Sequence, residues 1–165
     1  MRIVVLAFFM VPFLLPEQRG PVHVGGMEMS YEIFDDSVAV SLRGPTTGWV
    51  GIGFNDENNI VGSDLLLFHV IGDETVGLDM YVQGVGDPQE DILINGQHSI
   101  RILEGNEQAG QTRIRFSMAL NSQDPNDYKH TLSEPFWLIL AYAAVDDFKH
   151  HSLMRRHIPF VFESN

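Results

Sequence analysis

The feature that most restricts the fold of this chain is a series of short apolar stretches with the two-residue period of a β-strand, punctuated by turn residues. Between Ser37 and Arg43, Val38, Val40 and Leu42 alternate with Ala39, Ser41 and Arg43. Between Thr112 and Leu120, Ile114, Phe116, Met118 and Leu120 share one side, and Arg113, Arg115 and Ser117 take the other. Similar stretches run from Met27 to Phe34, Gly48 to Phe54, Asp64 to Ile71, Thr75 to Gln83 and Ser99 to Leu103. Pro135 to Ala144 is apolar on both faces, which predicts an interior strand. Arg156 to Phe162 closes the series with Ile158, Phe160 and Phe162 on one face, and its Pro159 predicts a sheet edge or a bulge. Asp35-Asp36 leaves room for a tight hairpin. Asn121 to Glu134 is the longest irregular piece, with room for a turn of helix, and no segment keeps a helical period. About nine short strands at regular spacing predict an all-β fold, an antiparallel immunoglobulin-like β-sandwich.

A chain of 165 residues fits one domain and buries a core without metal or disulfide staples. No internal repeat, linker or low-complexity tract divides it. The formal charge of −12 argues against nucleic acid as a partner, because no cluster of Lys and Arg is present to displace phosphate counterions. The absence of cysteine excludes disulfides, thiolate metal sites, iron–sulfur clusters, cysteine nucleophiles and covalent c-type haem. It says little about compartment.

The N-terminus carries an address. Arg2 precedes an apolar run from Ile3 to Leu15, interrupted by Pro12. The run is shorter than the ~20 residues that a membrane-spanning helix needs. A positive start before a stretch of this length matches a secretory signal, although Pro16-Glu17-Gln18-Arg19-Gly20 lacks a small-x-small cleavage pattern. A hydrophobic first strand is the alternative. The organisation expected is a leader over residues 1–20 and one domain over residues 21–165, secreted or periplasmic, with no transmembrane span.

Two segments carry the chemistry. The first is Gly48-Trp49-Val50-Gly51-Ile52-Gly53-Phe54, followed by Gly62-Ser63-Asp64. The second is Asp146-Asp147-Phe148-Lys149-His150-His151-Ser152-Leu153-Met154-Arg155, just after the most apolar strand. The loop after an interior strand emerges at one end of a sandwich, where ligands commonly bind. His150 and His151 are adjacent, so in extended chain they point to opposite sides, one toward a ligand and one toward solvent. Neutral imidazole ligates haem iron, zinc or copper. The plainer reading is a histidine that hydrogen-bonds a backbone carbonyl and ties the loop down.

Together the glycine–tryptophan strand, the Gly62-Ser63-Asp64 segment and the late histidine resemble the DOMON domain family, which includes extracytoplasmic haem-b and sugar-binding modules. The late segment also resembles the signature of a secreted bacterial branch of that family. In the haem-binding members, iron is held by a methionine in the loop after the glycine–tryptophan strand and by a histidine near the C-terminus. Here Ile60 or Val61 stands where the methionine would be, and an alkyl side chain cannot coordinate iron. The resemblance therefore implies b-type haem held by His151 or His150, with His69, Met80 or Met154 as candidates for the second position, or a five-coordinate iron. Arg155 would pair with a haem propionate or a substrate carboxylate. Trp49 would either stack on a porphyrin or sugar, or fill the core between the sheets, the core reading being preferred. Trp137, inside the most apolar strand, is read as core.

In the haem reading the module carries electrons or senses redox state, and its partner is a membrane b-type cytochrome or another redox protein. The alternatives are a non-haem module for a sugar or a protein surface, and a structural domain whose histidines only fix a loop. A calcium role for Asn55-Asp56-Glu57-Asn58-Asn59 is disfavoured, since the loop lacks EF-hand spacing. Gly84-Val85-Gly86-Asp87-Pro88 reads as a turn rather than a dinucleotide loop. No nucleophile elbow and no zinc-protease helix motif occur, so no catalytic role is expected of this chain alone.

Overall fold

A computed structural model describes residues 17–164. The expected leader therefore falls, over residues 1–16, outside the described residues. The rest folds into eleven β-strands and one 3-10 turn: β1 Arg19–Val24, β2 Met27–Ile33, β3 Ser37–Gly44, β4 Val50–Asn55, β5 Asp64–Ile71, β6 Glu74–Gly84, β7 Asp87–Glu90, the turn Asp91–Leu93, β8 Ile100–Gln108, β9 Gln111–Ala119, β10 Pro135–Tyr142 and β11 Met154–Val161. Sheet I has the order β1-β2-β3-β9-β8, and sheet II the order β11-β10-β4-β5-β6-β7. Every pairing is antiparallel. The expected antiparallel sandwich is borne out.

The two sheets pack through the sides that the alternation assigns. Val38, Val40 and Leu42 of β3, Ile114 and Phe116 of β9, Val50, Ile52 and Phe54 of β4, and Leu138 and Leu140 of β10 all enter one buried cluster. Phe68 of sheet II stacks on Phe116 of sheet I at 4.7 Å between ring centroids, so the sheets meet through aromatic contact. Full burial of each such side chain contributes roughly 2–3 kcal/mol. At one end, Phe54, Tyr128, Phe136 and Phe162 surround the buried His130.

Pro159 lies in β11, an edge strand, and β10 lies between β11 and β4, as the sequence predicts. Three features differ from expectation. β1 begins at Arg19, inside the segment assigned to the leader, and pairs with β2, its Val22 and Val24 packing against the core. β7 is short, polar and at a sheet edge, so it lacks an alternating pattern. Trp137 is half-buried on the outer side of sheet II rather than core, because Phe136, Leu138 and Leu140 take the inward positions of β10. The connection from β9 to β10 crosses between the sheets without a helix. Among the described residues, no helix is long and apolar enough to cross a membrane.

Candidate functional site

The glycine–tryptophan strand and the late loop, far apart in sequence, are joined by backbone hydrogen bonds. Trp49 N–H donates to Val145 O at 3.2 Å, and Ala143 N–H donates to Trp49 O at 2.9 Å. Gly48 permits this approach, since a Cβ there would fall 2.7 Å from Ala143 O. Because β4 turns Val50, Ile52 and Phe54 inward, Gly51 and Gly53 face out. The register then sets two rows across the outer face of sheet II. One is Arg155, Ala141, Gly51, Leu67 and Leu78; the other is His157, Ile139, Gly53, Leu65 and Met80. Trp49, Leu67, Met80, Ala141 and Ala143 form a second buried apolar cluster here, with Leu65, Leu78 and Phe148 against it. A Cβ on Gly51 would lie 2.6 Å from Leu67 and 3.5 Å from the Trp49 ring, so glycine lets both side chains lie on the backbone. Trp49 is thus buried, but on the outer face and not between the sheets, a correction to the preferred reading.

Three polar atoms on this face and its loop are buried without a partner: Trp49 Nε1, His157 Nδ1 and Asp146 Oδ1. Burying such a group unpaired costs about 1–3 kcal/mol. Burial, followed by the charge of Arg155, lowers the pKa of His157. His69 Nδ1 bonds Asp146 O at 2.8 Å, and its ring stacks on Phe148 at 4.4 Å, so His69 holds the late loop against β5. Of the second-ligand candidates, His69 and Met80 both lie on the outer face.

The other candidate residues separate. His150 and His151 are exposed in the late loop, where His150 N–H donates to Asp147 O at 2.9 Å. Arg155 is exposed on the outer face, in the row of Gly51. Met154 points the other way, into the main core beside Gly25, and cannot serve a ligand on the outer face. Its register opposite Tyr142, which also packs on that core, decides this. Ile60 and Val61 are half-buried in the loop at the opposite end of β4 from the late loop. That loop wraps around Asn55, whose Nδ2 donates to Asn59 O at 2.9 Å, Val61 O at 3.1 Å and Ser63 Oγ at 3.1 Å.

A second polar constellation was not apparent from the sequence. Asp64, Asp79 and Asp127 form one group and Asp91, Asp124 and Asp127 another, each with carboxylate oxygens within 4.8 Å of one another. Asp64 opens β5 opposite Phe54, and Asp79 faces inward from β6 opposite Leu66. The Asn121–Glu134 crossover brings Asp124 and Asp127. Backbone N–H groups anchor one side of the cluster: Tyr128 donates to Asp64 Oδ2 at 3.0 Å, Ser99 to Asp79 Oδ2 at 2.6 Å, and Gln97 to Asp124 Oδ2. Burial first, then the neighbouring carboxylates, pushes Asp79 up to about 7 and Asp91 up to about 8, and raises Asp64 as well. The signal that points to it in sequence is an aspartate at an inward strand position, Asp79, together with Asp124-Pro125-Asn126-Asp127.

A profile of the DOMON domain family matches residues 23–143. The chain is 26% identical over 116 residues to MOXD1 homolog 2 of Drosophila melanogaster, covering 70% of this chain and 15% of that protein. It is 33% identical over 110 residues to DBH-like monooxygenase protein 2 of Mus musculus, covering 66% of this chain and 17% of the relative. The chain thus spans about a sixth of the length of these curated relatives. Among solved structures, the cytochrome b domain of pyranose dehydrogenase from Coprinopsis cinerea superposes with a TM-score of 0.59 at 12% identity, covering 82% of this chain and 76% of that one. The cytochrome domain of Myriococcum thermophilum cellobiose dehydrogenase gives 0.55 at 11% identity, covering 84% and 76%. These likenesses concern the fold.

Proposed function

This chain belongs to the DOMON domain family, and on that premise we propose that it is an extracytoplasmic module, secreted or periplasmic, that holds b-type haem on the outer face of sheet II. One observation carries the reading: this apolar face buries the Trp49 indole N–H, a hydrogen-bond donor, with no partner of its own. Such an atom fits a ligand that presents an acceptor. The face also runs between two loops at opposite ends of β4, one bearing His150 and His151 and the other Ile60 and Val61. His151 is the iron ligand in this reading, because it lies nearer β11 while His150 closes the tight turn on Asp147. Arg155 pairs with a propionate, and His69 fixes the late loop so that His151 approaches from one side. Ile60 and Val61 offer no donor, so the second iron position is open or belongs to Met80. Bound haem supplies one-electron chemistry, and a redox protein such as a membrane b-type cytochrome is the expected partner.

Absorbance titration of the chain with haem tests this. A saturable Soret shift near one equivalent, lost in His151→Ala and kept in His150→Ala, is the expected result. No saturable shift, or an equal one in all three proteins, contradicts it.

A second reading rests on sheet I, whose outer face carries a polar groove of about 410 Å³ with Glu28, Ser30, Ser41, Arg43, Asn106 and Arg113 in its lining. That chemistry suits a sugar. A glycan that raises the melting temperature of the chain but not of Arg113→Ala would favour it, since ligands that bind the folded state stabilise by mass action.

A further inference from the structure

We propose that the five aspartates Asp64, Asp79, Asp91, Asp124 and Asp127 form a binding site for calcium, which ties the Asn121–Glu134 crossover to β5, β6 and the 3-10 turn. The proposal is independent of the haem reading. Acidic groups alone would not carry it; the burial of carboxylate oxygens that no donor reaches does. Asp64, 5% exposed, gives Oδ2 to the Tyr128 N–H and leaves Oδ1 buried without a partner. Asp79 gives Oδ2 to the Ser99 N–H and likewise leaves Oδ1 unpartnered. Asp91, 1% exposed, has neither oxygen partnered, and Asp127 Oδ1 is also free. The anchored oxygens fix the carboxylates in the two groups that share Asp127, and Asp124 accepts from the backbone N–H groups of Gln97 and Asn126 with its two oxygens.

No protein donor bonds these free oxygens among the described residues, and Asn126 Nδ2, the buried amide beside Asp91 and Asp124, is itself without a partner. A carboxylate accepts without donating, so these oxygens call for shared protons, water or a cation. The chemistry favours a hard cation, since all side-chain ligands are oxygen and neither cysteine nor histidine belongs to the groups. Calcium suits the site better than magnesium because it accepts six to eight oxygens in flexible geometry, whereas magnesium demands a near-ideal octahedron. Gly96 supports the arrangement, since a Cβ there would press on Asn126 and fall 2.8 Å from Asp124 Oδ2 and 2.9 Å from the Asp91 Cβ.

The test is calorimetric titration of the whole chain with calcium after chelator treatment, near pH 7.5. Saturable binding is expected, with a melting temperature that climbs with calcium concentration. Asp127→Asn, which touches both groups, should weaken binding at least tenfold, and Asp124→Asn serves if that variant does not fold. Magnesium should bind more weakly. The proposal is overturned if the folded wild-type chain shows neither saturable heat nor a melting shift up to ~10 mM calcium, well beyond the affinities of extracellular calcium modules. Equal binding of magnesium would overturn the identity of the ion.

Discussion

The outer face of sheet II and the aspartate cluster are the two candidate sites on apolar strands, yet they are built in opposite ways. The face spreads over β4, β5, β6, β10 and β11, and its two contiguous motifs, the glycine–tryptophan strand and the late loop, are clamped together by backbone hydrogen bonds at Trp49. Its polar groups are few, and His150 and His151 of the late loop stay in solvent. The cluster draws single residues from β5, β6, a 3-10 turn and a crossover, and it concentrates negative charge where water is excluded. A face of the first kind tolerates change at its rim. A cluster of the second kind makes folding depend on what neutralises it.

The largest effect that would sharpen this contrast is the pH dependence of stability without calcium. Asp79 and Asp91 titrate higher in the folded chain than the usual 3.8, so the stability they contribute is full below about 4 and is lost as pH rises through about 7 to 8. Chelator-treated protein should therefore lose on the order of a few kcal/mol between pH 5 and pH 9, at up to ~1.4 kcal/mol per unit for each group. Denaturant unfolding at the two pH values measures it, and added calcium should flatten the curve. An equally steep fall with calcium present would break the contrast.

His130 provides the opposite limb. Burial among Phe54, Tyr128, Phe136 and Phe162 lowers it from 6.5 to about 3, so the unfolded chain binds a proton that the folded chain refuses. Stability contributed by the neutral ring is present above about 6.5 and is lost as pH falls toward about 3, by up to ~1.4 kcal/mol per unit. His130→Phe should remove that acid limb, as read by melting temperature across pH 3 to 7. A limb unchanged in the variant would assign it to other groups.

A smaller effect is expected of Gly51→Ala. The added methyl would press on Leu67, 2.6 Å away, and costs about 1–3 kcal/mol by overpacking. Trp49 fluorescence should shift with it, since the same methyl would lie 3.5 Å from the indole. Smallest is Arg155→Ala. This exposed residue should change stability by no more than ~0.5 kcal/mol, while weakening haem retention in the titration described above. A large loss of stability there would mean that Arg155 supports the fold rather than a ligand.

The residues that follow the strand period were readable from sequence because burial has to match the alternation; Val38, Val40 and Leu42 face the core for that reason. β1, β7 and the outer half of β8 were not, since edge strands pair through backbone and present polar side chains such as Glu104, Asn106 and Gln108. Trp49 and the late loop could be picked out as neighbours in function because each is a contiguous motif. The inward turn of Met154 was hidden, being set by register against Tyr142. His69 reads as a ligand in sequence, but its bond to Asp146 O gives it the role of a brace. The aspartate cluster left only scattered signals, Asp79 at an inward strand position and Asp124-Pro125-Asn126-Asp127, because only the sandwich topology brings Asp64, Asp79 and Asp127 together.

The most direct test of the central claim, that the outer face of sheet II is the ligand face, is the indole N–H resonance of Trp49 in nitrogen-15-labelled protein titrated with zinc protoporphyrin as a diamagnetic stand-in for haem. The account predicts a saturable shift of that resonance together with the amides of Gly51, Gly53 and Ala141. An unmoved Trp49 signal, with shifts confined to the groove of Arg43 and Arg113 or absent altogether, would contradict it.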